Sequence, residues 1–120
     1  MTRINVGIPP SELSTKHLIA EHREIKRIPN VVRSGRYSMA GQPPQFTLGK
    51  GHVKFFYDKL LYLKNRYDEI HGECLSRGFK ATDFSSAFEG LPDAVMGNYS
   101  PTEADARLIR ERIASRPERP

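Results

Sequence analysis

Apolar residues recur with helical period in three stretches of the chain. In the longest, Phe56, Leu60, Leu63, Tyr67, Ile70 and Cys74 fall at i, +4, +7, +11, +14 and +18, one side of a helix predicted over 52–77. Gly78 follows Arg77 where a left-handed closing residue is wanted. Upstream, Leu18, Ile25 and Val32 share one side of a helix predicted over 11–32. Ser11 or Ser14 can cap it, and Pro29 predicts a kink or break near Arg27. A third helix, over 100–115, has Ser100 as N-cap, Pro101 at its first position and Glu103 at its third. Leu108, Ile109 and Ile113 are its apolar positions. Residues 33–45, with Gly35, Gly41 and Pro43-Pro44, read as loop. Residues 79–99 are irregular, Pro92 and Gly97 acting as breaks and Phe84 and Phe88 covering a core edge. No strand or repeat emerges, so the expected fold is all-α, a compact three-helix bundle with long irregular connections in a single domain over residues 1–120.

The polar positions of the first helix change that picture. His17, Glu21 and Glu24 are spaced i, i+4 and i+7, which puts them on one narrow face. Lys16, Arg23 and Arg27 form a basic strip beside it. Such a face is either a site or a solvated surface whose ion pairs add ~0.2–0.5 kcal/mol each. Charge does not separate the two. Nineteen Lys and Arg against fourteen Asp and Glu give a net charge of +5 and a pI near 9.6, which suits a polyanion such as nucleic acid but also ordinary solubility.

Other chemistry is excluded more readily. Gly49-Lys50-Gly51 lacks the frame of a nucleotide-binding phosphate loop. No Cys/His cluster has metal-ligand spacing, and His52 and His71 read as a helix-end and a surface residue. The one cysteine, Cys74, lies on the apolar stripe as a small buried hydrophobe and has no intrachain disulfide partner. Absence of an apolar run near ~18 residues or of a leader-like N-terminus leads to the expectation of a cytoplasmic protein with no membrane contact. At the N-terminus, removal of Met1 would leave Thr2 with a free α-amine of reference pKa ~7.7–8.0, partly neutral near pH 7. The bland alternative is a frayed end.

Several runs, taken together and in order, resemble the phage pyrimidine-dimer DNA glycosylases, the endonuclease V enzymes of ultraviolet repair. They are Met1-Thr2-Arg3-Ile4-Asn5, His17-Leu18-x-Ala20-Glu21-x-Arg23-Glu24 with Arg27, and Leu48-Gly49-x-Gly51-His52-Val53-x-Phe55-Phe56-Tyr57-Asp58-Lys59-Leu60. Glu73-Cys74-Leu75-x-Arg77-Gly78-Phe79, Gly97-x-Tyr99-x-Pro101-x-Glu103-Ala104 and Ile113-Ala114-x-Arg116-Pro117 continue the match. The resemblance implies a small all-α glycosylase and abasic-site lyase. In it the α-amine of Thr2 attacks the sugar, Glu24 is the acid/base carboxylate, and no metal or cofactor is used. It implies double-stranded damaged DNA as partner and a monomeric enzyme. Arg3, Arg23, Arg27, Arg107 and Arg112 would contact DNA, His17 would orient sugar or phosphate, and Glu21 would be structural support. Family members carry a Trp- and Tyr-rich tail after the Arg-Pro, whereas this sequence contains no Trp. That difference bears on dimer selectivity before imine chemistry and admits an abasic-site lyase without dimer preference. The alternatives from other classes are a non-catalytic basic DNA-binding module on the same scaffold and a helical interaction protein.

Overall fold

The computed structural model describes residues 2–115; Met1 and residues 116–120, including Arg116 and Pro117, lie outside the described residues. Five α-helices follow in order: α1 (Thr15–Glu24), α2 (Arg27–Ser34), α3 (His52–Phe55), α4 (Leu60–Ser76) and α5 (Glu103–Ser115). Short 3-10 turns at Pro10–Glu12, Ser85–Phe88 and Asp93–Val95 punctuate the connections. Among the described residues no strand forms beyond an isolated antiparallel bridge between Lys59 and Met96. The all-α expectation holds. The three predicted helices correspond to α1, α4 and α5, with α2 and the single turn α3 as separate pieces.

Each boundary has a local cause. Ser14 caps α1 by accepting the His17 N–H, satisfying a donor that the first turn leaves unpaired. The helix predicted over 11–32 breaks at Ile25-Lys26, as Pro29 requires, since a proline has no N–H for an interior helical bond. Gly35 ends α2 at φ 75, so Arg33 and Ser34 are helical rather than loop. At α4, Gly78 takes φ 84 and its N–H reaches the Leu75 carbonyl, closing the helix as its position predicts.

Tertiary contacts overturn two further boundaries. The helix predicted over 52–77 is interrupted at 56–59. There the Gly97 segment crosses: its N–H donates to the Asp58 carbonyl, and its own carbonyl accepts from Leu61 and Tyr62. A Cβ at Gly97 would lie 2.4 Å from the Asp58 oxygen, so the approach depends on glycine. The cap of α5 is Thr102, not Ser100. Thr102 Oγ1 accepts the Asp105 N–H, and Asp105 Oδ2 accepts the Thr102 N–H, both at 3.1 Å. The Tyr99 hydroxyl also donates to Asp105, and that buried carboxylate decides between two locally acceptable starts.

The core gathers the predicted stripes. Phe56, Leu60, Leu63, Tyr67, Ile70 and Cys74 are all buried, as are Leu18, Ile25, Val32, Phe88 and Ile109. Burial pushes the Cys74 thiol pKa up, in keeping with a packing role. Leu108, by contrast, is exposed. α1 packs along α4, and the core between them is completed by Ile4, Val6 and Ile8. Burying an aliphatic side chain contributes about 1.5–3 kcal/mol, so three in five residues hold this segment firmly. It is not a frayed end.

Candidate active site

The N-terminal segment runs through the core, turns over Asn5–Ile8 with the Ile8 N–H on the Asn5 carbonyl, and is held by hydrogen bonds along its length. The Arg3 N–H donates to Glu24 Oε1 at 3.1 Å. The Ile4 N–H donates to His52 Nε2 at 3.0 Å, and His52 Nδ1 donates to the Thr47 carbonyl at 2.9 Å. Asn5 Nδ2 donates to Glu21 Oε1 at 2.8 Å, while its Oδ1 accepts from Arg112 of α5 at 2.8 Å. Arg66 of α4 donates to the Ile8 carbonyl. Apart from the His52–Thr47 bond, which fixes the histidine, these bonds join the segment to α1, α3, α4 and α5.

Above the segment opens a cavity of about 270 Å³ lined by Arg3, Asn5, His17, Ala20, Glu21, Glu24, Arg112 and Ile113. The narrow face of α1 thus faces a hollow, not solvent. Glu21 and Glu24 differ sharply there. Glu21 is fully buried and receives Arg66 Nε at 2.8 Å and Nη2 at 3.0 Å. Glu24 is half-buried, with one oxygen on the Arg3 amide and the other 3.5 Å from the exposed Arg23 guanidinium. His17 is held by Ser14, whose Oγ lies 2.8 Å from its Nδ1.

Arg3, His17, Glu24 and Arg112 therefore converge on one cavity. Thr2 is adjoining: consecutive backbone nitrogens lie within ~3.6 Å, so its nitrogen is within about 7 Å of the Glu24 carboxylate. Arg23 stands on the rim. Arg27 is exposed at the start of α2, beyond the lining. Arg107 is not brought to the cavity, since it lines a separate open groove with Gly7, Ala106 and Arg110. Among the described residues, no group of three or more His, Cys, Asp or Glu is placed to hold a metal ion. Nor, among the described residues, is any helix long and apolar enough to cross a membrane.

Sequence reading missed Asn5 and Arg66 and misplaced His52 and His71. Asn5 sits between Ile4 and Val6, and the apolar residues Ile4, Val6 and Ile8 around it were the signal of a buried segment with a polar residue inside it. Arg66 lies three residues after Leu63 and four before Ile70 on the apolar face of α4, where a cation needs a buried partner. His52 does begin a helix, but it is buried. Its pKa is lowered by burial, with Arg112 and Arg3 acting in the same direction. His71 is likewise no free surface residue, because its Nδ1 lies 3.0 Å from His22 Nε2.

A family model described as pyrimidine dimer DNA glycosylase matches residues 1–86 of the 120. That span includes the N-terminal segment, Glu21, Glu24, His52 and Arg66, and ends ahead of α5. With nearly three quarters of its length matched, the chain belongs to the pyrimidine dimer DNA glycosylase family, a family of DNA-repair enzymes that act on damaged DNA.

Proposed function

We propose that the protein is a DNA glycosylase with abasic-site lyase activity, and that it works through an imine formed by the α-amine of Thr2 once Met1 is removed. The observation that carries this reading is the bond between the Arg3 N–H and Glu24 Oε1. It holds the start of the chain against a half-buried carboxylate, in a hollow flanked by Arg3 and Arg112. The size of that hollow suits one sugar ring, being near the lower limit of the ~300–1,000 Å³ typical of small-molecule sites.

The neutral amine attacks C1′ and displaces the damaged base, which leaves with the bonding electrons and takes up a proton. Glu24 takes up the proton that the amine loses and delivers it to O4′ as the ring opens, which gives the protonated imine. Glu24, now a carboxylate, removes a C2′ proton. The electrons run through the imine to an enamine and expel the 3′ phosphate, cutting the strand, and water then hydrolyses the adduct. A carboxylate in hydrogen-bond reach of the sugar serves each transfer. Arg23, exposed beside Glu24, Arg3 and Arg112 within the cavity, and Arg27 farther out at the start of α2 supply phosphate contacts, which govern affinity and salt dependence more than sequence preference.

Borohydride should trap a covalent adduct between the processed protein and an abasic duplex. Glu24→Gln should reduce strand cutting by ~10²–10⁴-fold, the usual share of general acid–base catalysis, while duplex binding persists. No adduct from protein whose intact mass shows Thr2 at its start would refute the imine. Salt-dependent binding without cutting in that preparation would favour the DNA-binding module instead.

A further inference from the structure

Two carboxylates line the cavity three residues apart on α1, and only one is available for proton transfer. Both Glu21 oxygens are occupied by the Arg66 fork, and Oε1 also takes Asn5 Nδ2. With its charge matched at hydrogen-bond distance and its side chain sealed from solvent, Glu21 is a fixed anchor. Glu24 carries one amide bond and one looser contact with Arg23.

Asn5 is what fastens to that anchor. An amide offers a donor on one arm and an acceptor on the other, and both arms are used, Nδ2 on Glu21 and Oδ1 on Arg112. A carboxylate of the same size would set two anions together, and an aliphatic residue would leave Arg112 without this acceptor. The attachment also has a lever arm. Arg3 on Glu24 and Asn5 on Glu21 are two points on the segment bonded to two points on α1. Two such points determine both how far the segment slides along the helix and how it is rotated. A slip of the segment along α1 would carry the first nitrogen away from Glu24 and take Ile4, Val6 and Ile8 from their buried places.

We propose that Asn5 is a positioning residue: bridging the Arg66-neutralised Glu21 and Arg112, it sets the register of the chain's first residues against Glu24 and orients Arg112 in the same cavity. Its catalytic consequence rests on the reading of Thr2 as nucleophile, whereas its structural consequence does not. Misplacing a reacting group by 1 Å can cost ~10²-fold in rate, so the nucleophile needs such a register.

The test uses the full chain and two readouts, amide hydrogen exchange at Arg3 and Ile4 and the single-turnover rate of borohydride trapping on abasic duplex. Asn5→Asp should speed exchange at those two amides about tenfold or more relative to the amides of α4. It should slow trapping on the order of 10²-fold at saturating duplex, a condition under which weaker binding through Arg112 does not enter the rate. If Asn5→Asp does not fold, Asn5→Ala removes the amide without adding charge and carries the same readouts. Unchanged exchange at Arg3 and Ile4 overturns the proposal whatever the trapping rate, and so does unchanged trapping in a variant beside a wild type that traps. A wild type that never traps, with exchange behaving as stated, refutes the Thr2 reading and supports the register.

Discussion

Two glutamate–arginine pairs in this protein have nearly the same geometry. Arg66 holds Glu21 at 2.8 and 3.0 Å, and Arg110 of α5 holds Glu12 at 2.9 and 3.0 Å. Their surroundings are opposite. The first pair is 5% and 0% exposed, the second 52% and 46%. In water the second is screened by solvent and salt, and its ordering cost offsets most of its attraction. The first sits where an unmatched charge has no solvent to turn to. Bond lengths alone would rank them equal. What separates them is burial and the further groups each one touches: Glu21 also holds Asn5, and Arg66 also holds the Ile8 carbonyl.

Breaking the buried pair should produce the largest effect. Arg66→Met leaves Glu21 uncompensated and should reduce stability by about 3–5 kcal/mol in urea unfolding. A loss no larger than that of Arg110→Ala would erase the distinction drawn here. Acid should have a smaller effect on the same region. His52 accepts from Ile4 and donates to Thr47, so it is built in as a neutral ring. Burial, with Arg112 and Arg3 nearby, holds its pKa below the ordinary value, against the opposing pull of the Thr47 carbonyl and Glu21. His22 is lowered in the same way by burial, His71 and Lys26, with Asp83 opposing. The unfolded chain, at ~6.5, therefore takes up these protons first. Their contribution to stability is complete above that pH and is lost as the pH falls through the lowered folded values. Urea midpoints should decline between pH 7 and pH 5, and His52→Gln should flatten part of that decline; a flat wild-type profile would contradict the neutral clamp. Least of all, Arg110→Ala should leave the urea midpoint where it was at physiological salt.

Much of this was legible along the chain, for reasons of periodicity and local chemistry. The stripe from Phe56 to Cys74 is a property of residue spacing, and every member is buried despite the interruption at 56–59. Pro29 and Gly78 act through their own backbone constraints, so the break at Ile25-Lys26 and the end of α4 could be placed from sequence. The convergence of His17 and Glu24 followed from helical spacing once α1 existed. The interruption at 56–59 could not be seen, because its cause is a glycine 38 residues beyond Lys59 in the chain. Nor could the choice of Thr102 over Ser100, since both begin an acceptable capping pattern and only the contact of Tyr99 with Asp105 tells them apart.

By itself, then, the order of residues determined the helices, their buried faces and the row of titratable groups on α1, because those depend on interactions within one turn or one stripe. Which of two carboxylates stays available was decided only in three dimensions. Arg66 lies 45 residues from Glu21 and Arg112 lies 107 from Asn5, and a charge is matched or left available according to what folding brings beside it in a place water does not reach.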